Sequence, residues 1–257
     1  MVCKGYAQVE GIDFDETFVP VARMEAIWMF LAYACLRKIK VYQIDVKSAF
    51  LNGELEEEFY IEQPEGFLLS EKEDYVCRLN KALYGLKQAP RACYARIDGY
   101  LHQQGFKKGI FDSNIYVQID KYNLTIVEVY VDDIIFGSNN DWLSKNFATK
   151  MQSEFEMSLL GELTYFLRLQ ISQQEKGIFI CQAKYIKEIL KKFKMEDCKI
   201  VLTLMVTSCK LSIDNSYKDV DQRLYRSMIG SLLYVTASRP DVMQEVGQVA
   251  RFQEAPK

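Results

Sequence analysis

Histidine is nearly absent from this sequence: there is one, His102, in 257 residues. That excludes metal centres built on clustered imidazoles. A Ser-His-Asp triad would rest on this single ring, which lies in the polar setting Tyr100-Leu101-His102-Gln103-Gln104 and reads as a surface side chain. Cysteine occurs seven times, an odd number, and never at Cys-x-x-Cys spacing. This argues for free thiols in a reducing compartment and against a zinc site. No run of residues is long and apolar enough to span a bilayer. The start, Met1-Val2-Cys3-Lys4-Gly5, lacks the build of a secretory leader. There is no internal repeat and no low-complexity segment. Basic charge is not in excess either: 32 Lys and Arg face 35 Asp and Glu, a net of −3, whereas a nucleic-acid binder is usually basic overall. Any metal must then be held by carboxylates, and oxygen ligation favours magnesium or manganese.

What the sequence does have is the composition of a folded protein. Hydrophobic residues make up 49% and charged residues 26% of the chain, enough for one large domain or two small ones around a sizeable core. The most informative stretch is Val129-Tyr130-Val131-Asp132-Asp133-Ile134-Ile135-Phe136. It lies in an apolar run, Leu124 to Phe136, that reads as strand–turn–strand. A buried ionised carboxylate is expensive unless it is paired or bound to a metal. Asp-Asp is also a poor tight hairpin, where Asn-Gly or Asp-Gly supplies the positive φ angles. A local rule broken at such a place points to a functional site. The plain alternative is a solvated acidic loop.

In chain order, residues 1–20 are polar and irregular, with Pro20 acceptable at a helix start. Met24, Ile27, Trp28, Leu31, Ala34 and Cys35 recur at helical spacing and predict a core helix ending near Arg37-Lys38. Val41 to Val46 alternates as a strand, with Asp45 on the face of Val41 and Gln43. Lys47 to Gly53 ends in a turn. The acid run Glu54 to Glu58 reads as a solvated face, and Tyr60–Glu62 and Tyr75–Leu79 as short strands. Ala89-Pro90 opens a helix to about Gln104, preceded by Gly85, which lets a backbone approach a ligand closely. Lys81, Lys87 and Arg91 with Tyr84 suit a nucleic-acid strand. Asn140 to Met157 reads as a helix; Thr164 to Ser172 and Gly177 to Cys181 read as a hairpin. Ala183 to Met195 is an amphipathic helix with an apolar stripe of Ile186, Ile189, Leu190 and Phe193 and a basic remainder that can track phosphates. Residues 200–220 read as a linker. Helices follow near Gln222–Val235 and Asp241–Phe252, with Ser238 as a cap for the second.

If the Asp45 strand pairs with the hairpin, three carboxylates converge: Asp45, Asp132 and Asp133. Such a cluster suits phosphoryl transfer with two magnesium ions about 4 Å apart. At these residues the chain resembles the reverse transcriptase domain of copia-type retrotransposon gag-pol polyproteins. The resemblance runs over nearly the whole chain. It is carried, in order, by Gly11-Ile12-Asp13-Phe14-Asp15-Glu16-Thr17-Phe18-Val19-Pro20-Val21-Ala22-Arg23, Gln43-Ile44-Asp45-Val46-Lys47-Ser48-Ala49-Phe50-Leu51-Asn52-Gly53, Leu83-Tyr84-Gly85-Leu86-Lys87-Gln88-Ala89-Pro90-Arg91, Tyr130-Val131-Asp132-Asp133 and Ser227-Met228-Ile229-Gly230-Ser231-Leu232-Leu233-Tyr234.

The resemblance implies an α+β right-hand polymerase fold: an antiparallel-sheet palm with helices behind it, fingers and a helical thumb. Residues 1–40 would be partial fingers and the first palm helix, 41–53 the palm strand, and 54–98 fingers with the template-contacting loop. Residues 99–165 would be palm, 166–199 a primer-grip-like hairpin and thumb helix, and 200–257 thumb and connection. Asp45, Asp132 and Asp133 would be the catalytic carboxylates and, with the Val46 carbonyl, the ligands of Mg2+ or Mn2+. Phe50, as the steric gate, Tyr84 and Gly85 would meet the incoming deoxynucleoside triphosphate. Lys87, Gln88, Pro90, Arg91, Tyr130, Lys184, Lys187 and Lys191 would meet an RNA or DNA template and its primer. The parent polyprotein would supply ribonuclease H and integrase regions, and the setting would be intracellular, in a cytoplasmic virus-like particle without a membrane. The family usually has Trp where Cys93 stands and Gly where Arg168 stands, prolines near Ile200 and Leu204, and basic residues upstream of Lys4-Gly5. On this basis the chain is expected to be a fragment or a decaying copy that folds but polymerises feebly or not at all. The alternatives are a non-catalytic remnant that at most binds nucleic acid, and a carboxylate-metal nuclease.

Overall fold

The computed structural model describes every residue except 1, 71, 73, 202–203, 206–210 and 212–218. The chain divides into two compact units, Met1–Leu163 and Thr164–Lys257.

The first unit opens with an irregular segment and then α1 (Met24–Arg37). Pro20 lies in the extended lead-in, four residues short of the helix start. The helix ends where Lys38 turns left-handed at φ 54. There follow β1 (Val41–Val46), β2 (Glu54–Glu62), β3 (Val76–Lys81), α2 (Ala89–Gln103), β4 (Lys107–Lys108), β5 (Ile115–Asp120), β6 (Asn123–Tyr130), β7 (Asp133–Ser138), α3 (Asp141–Glu154) and β8 (Met157–Glu162). Pro90 sits in the first turn of α2, where a missing N–H is no loss. Asn140 caps α3 by accepting from the Trp142 amide.

Six strands make one antiparallel sheet in the order β4-β5-β6-β7-β1-β8, while β2 and β3 form a separate ribbon. The strand alternation sorts side chains by face. Ile44 and Val46 of β1, Val127 and Val129 of β6, and Ile134 and Phe136 of β7 pack with Ile97 and Leu101 of α2 and Phe147 and Met151 of α3 in the main core. Burying such side chains stabilises by about 1.5–3 kcal/mol each, which makes this layer the frame that fixes β1 and the hairpin.

One expectation fails here. The helix predicted to reach Met157 stops at Glu154, and Met157 instead starts β8, which pairs with β1. Phe155 is already extended at φ −124, and a short mixed run after a helix does not reveal its period. The acid run does present a solvated face, and that face belongs to a strand. It is the first half of β2, with Glu54, Glu56 and Glu58 exposed and the residues between them half-buried. His102 is a half-exposed residue of α2, its Nε2 3.4 Å from Asp98.

The second unit holds β9 (Tyr165–Phe166), β10 (Leu169–Gln174), β11 (Gly177–Cys181), α4 (Ala183–Lys192), α5 (Gln222–Val235) and α6 (Met243–Ala250). The strand expected over Thr164–Ser172 is broken by a tight turn at Leu167-Arg168, where both residues have positive φ, 46 and 61. A left-handed backbone favours glycine, which accounts for the glycine that the resemblance places at Arg168. Its guanidinium lies 3.4 Å from Glu188 and 5.2 Å from the Tyr185 ring centre. The small core joins Tyr185, Ile189 and Val235, with Ile186 and Phe193 against it; Leu190, expected in the stripe, is exposed. Ser238 does not cap the last helix. Its hydroxyl donates to Gln182 Oε1 at 2.7 Å, and a short 3-10 turn, Pro240–Val242, leads into α6. Most of the predicted linker lies outside the described residues. The six described cysteines are free. Among the described residues no helix is long and apolar enough to cross a membrane.

Candidate active site

The β6–β7 hairpin closes on the pair Tyr130–Asp133, so its turn is Val131-Asp132. The adjacent acids are therefore divided: Asp132 is in the turn and Asp133 begins β7. Val131 stands at φ 55, a conformation that a β-branched side chain rarely adopts and that stores strain of about 1–3 kcal/mol. Asp133 is also the direct antiparallel partner of Asp45 on β1. Partners so placed share a face, with Cβ atoms about 5 Å apart. The turn is tied to the same strand, because the Val46 amide donates to the Asp132 carbonyl at 2.9 Å.

The carboxyl of Asp133 is raised above the usual range. Burial is the main cause; Asp132 and Asp45 add their charge, and a hydrogen bond from Gln43 opposes the rise. Gln43 Nε2 donates to Asp133 Oδ1 at 2.8 Å. Cys93 of α2 lies in the main core; burial, aided by the charge of Asp132, lifts its thiol to about 11 and keeps it neutral. Two strand positions from Tyr130, Glu128 is fully buried with both carboxyl oxygens lacking a hydrogen-bond partner. Burial, with a smaller contribution from Asp112, lifts it to about 8.

Among the described residues no three His, Cys, Asp or Glu side chains are gathered closely enough to cage a metal ion. The donor set is nonetheless of the right kind. Three carboxylates and the Val46 carbonyl are hard oxygen donors, and the mutual repulsion felt by Asp133 is what a divalent cation relieves.

Phe50 lies in the 3-10 turn Ala49–Asn52 that follows β1. It packs against the main core and a second cluster around Ala82 and Leu86. Its ring centre is 5.5 Å from that of Tyr84. Gly85, at φ 100, does admit a close backbone, but the backbone is the chain's own: a Cβ there would meet the Cys3 carbonyl oxygen at 2.0 Å. A Cβ on Gly5 would likewise meet the Gly85 carbonyl oxygen at 2.0 Å. The same N-terminal segment engages the neighbouring polar residues. Lys87 Nζ donates to the Gln8 carbonyl at 2.9 Å. Gln88 is buried between Gln8 and the Asp13 carbonyl rather than facing outward. Arg91 pairs with Glu16 at 2.7 Å while its side chain stays 43% exposed. On α4, Lys184, Lys187 and Lys191 are exposed, and Lys184 Nζ lies 5.2 Å from the Tyr165 ring centre.

A family model described as reverse transcriptase (RNA-dependent DNA polymerase) matches residues 1–207. The chain belongs to the reverse transcriptase family. The whole reverse transcriptase chain aligns at 38% identity with 20% of the retrovirus-related Pol polyprotein from transposon TNT 1-94 of Nicotiana tabacum. It aligns at 37%, again over its whole length, with 18% of the Pol polyprotein from transposon RE1 of Arabidopsis thaliana. A transposon Ty1-DR4 Gag-Pol polyprotein of Saccharomyces cerevisiae is 28% identical over 63% of this chain and 10% of its own length. The chain thus spans about a fifth of the length of the plant polyproteins it matches. Two reverse transcriptase residues of interest escaped the sequence reading. Gln43 had a visible signal, its place on the Asp45 face. Glu128 had another, a lone charge inside the apolar run.

Proposed function

We propose that this reverse transcriptase domain is an RNA-directed DNA polymerase that extends a primer 3′-hydroxyl by two-metal nucleotidyl transfer. The observation that carries the reading is the cross-strand pair Asp45–Asp133 with Asp132 in the adjoining turn. In this reading the six-stranded sheet with α2 and α3 behind it is the palm of a right hand. The β2–β3 ribbon and the segment before α1 belong to the fingers, β9–β11 act as primer grip, and the helices from α4 onward form the thumb.

Asp45, Asp132, Asp133 and the Val46 carbonyl would hold Mg2+, with Mn2+ as substitute. When bound, the metal activates the primer hydroxyl and neutralises charge on the leaving pyrophosphate. The chain's own residues position the reactants. Asp45 and Asp133 are held on one face by strand pairing, so their place needs no induced ordering. Phe50, braced by two apolar clusters and Tyr84, presents a wall against a ribose 2′-hydroxyl, and the Gly85 loop lies beside it. Tyr130, opposite Asp133, lies at the primer end. Template phosphates compete with Glu16 for Arg91, next to Pro90; Lys87 and Gln88 hold the segment that frames this contact. Lys184, Lys187 and Lys191 recur on α4 at helical spacing and follow the duplex backbone, each neutralised phosphate releasing counterions. The remaining partners are the ribonuclease H and integrase regions of a parent polyprotein, in a cytoplasmic particle.

Primer extension on an RNA template with magnesium and deoxynucleotides tests this. Asp132→Asn should lower the extension rate by about a thousandfold while the circular dichroism spectrum stays unchanged. Equal extension by the variant, or none by the parent chain, would overturn the reading.

A further inference from the structure

We propose that Gln43 is a positioning residue of the acid cluster, holding Asp133 by one carboxylate oxygen so that the other is turned free for a cation. The inference rests on the two-metal reading above.

Gln43 is a polar side chain with only 8% of its surface exposed. Its amide Nε2 donates to Asp133 Oδ1 at 2.8 Å. The strand register explains the reach. Gln43 pairs directly with Ile135, and Asp133 is two residues away on the same face of β7, the diagonal separation of about 7–8 Å that a long side chain spans. The other edge of β1 is irregular at the same point. Gln43 pairs with Gly161 but Ile44 pairs with Leu159, so Leu160 is an extra residue in β8. Gly161 takes φ 90 to allow this. Such a bulge raises the local twist and re-aims the side chains beside it. Gln43 thus stands where β1 is bent between its two neighbours.

The chemistry of the contact is selective. A carboxylate turns easily about its last torsion, which is broad and two-fold. An amide N–H removes that freedom without neutralising the charge. A lysine or arginine in its place would orient Asp133 equally well but compete with the metal for it. Gln43 therefore sets the rotation of the Asp133 carboxylate, keeps Oδ2 clear of this hydrogen bond and leaves the negative charge in place.

Mn2+ binding to the intact chain, followed by electron paramagnetic resonance without nucleotide, tests the assignment. Gln43→Met keeps the volume and removes the donor. It should raise the Mn2+ dissociation constant about tenfold to a hundredfold, the usual effect of losing a ligand's supporting hydrogen bond. Ile135→Val, which trims the neighbouring packing and no donor, should leave Mn2+ binding unchanged. In primer extension, Gln43→Met should lower kcat and leave the nucleotide KM near its parent value. If Gln43→Met does not fold, Gln43→Asn, one methylene too short to reach, asks the same question. Unchanged Mn2+ affinity in the folded Gln43 variant, with affinity lost in Asp132→Asn, would overturn the positioning role alone. No Mn2+ binding by the parent chain, or equal binding by Asp132→Asn, would overturn the two-metal reading together with it.

Discussion

On the helix-covered face of the six-stranded sheet, β1, β6 and β7 present Ile44, Val46, Val127, Val129, Ile134 and Phe136. On the other face the same strands present Gln43, Asp45, Glu128, Tyr130 and Asp133, together with the buried Val41 and Ile135. One residue step separates the two sets, because side chains alternate with a period of two. A slip of one position in the β1–β7 register would carry an acid into the core and Ile44 or Ile134 out of it. The apolar face therefore guards the register of the acidic one. The difference teaches that the chemistry is kept to one face of these strands, where it is braced by the buried Val41 and Ile135 and shares that burial with Glu128.

Glu128 offers the largest test of that division. Its folded-state value, about 8, lies above the ordinary 4.5, so folding favours the neutral acid. The stabilisation is fully present below about pH 4.5 and is lost as pH rises through about 8. For a fully buried group the linkage amounts to about 5 kcal/mol at most. Urea denaturation at pH 5 and pH 9 should show the parent chain losing several kcal/mol more than Glu128→Gln. Parallel pH dependences in the two proteins would place Glu128 outside the buried face.

Next in size is a pair of substitutions on β7 and β1. Phe136→Ala removes a ring from the closed face and should destabilise by about 3–5 kcal/mol. Asp45→Asn removes a like charge from the acidic face and should leave urea stability unchanged or slightly higher. A marked loss of stability in Asp45→Asn would show that the acids help hold the sheet, and the division would fail.

The smallest effect belongs to the turn between the faces. Val131→Gly releases left-handed strain of about 1–3 kcal/mol and loses about 1 kcal/mol to the freer unfolded chain. A net gain near 1 kcal/mol in denaturation is expected. A net loss would mean that the valine side chain makes contacts worth more than its strain.

Much of this could be read beforehand. α1, β1, α2, the β6–β7 hairpin and α5 follow from periodicity and punctuation, and Asp45 with Asp132 and Asp133 from acids set in apolar runs. β8 was hidden because Met157-Ser158-Leu159-Leu160-Gly161-Glu162 contains a bulge, and an extra residue breaks the alternation by which a strand is recognised. Gly85 shows a different limit. A glycine announces a close approach but not what approaches, and here it is Cys3, more than eighty positions earlier. Gln88 shares that limit: a polar residue near a motif looks outward until the segment that covers it is known.

The interlock of Gly5 with Gly85 has a consequence for inheritance. When a side chain blocks a side chain, a second mutation can make room. Here each glycine faces a peptide carbonyl, Gly85 that of Cys3 and Gly5 that of Gly85, and no codon makes a carbonyl smaller. Neither position has a second-site suppressor within the contact. A side chain at either position is accommodated only by moving the N-terminal segment off the Gly85 loop.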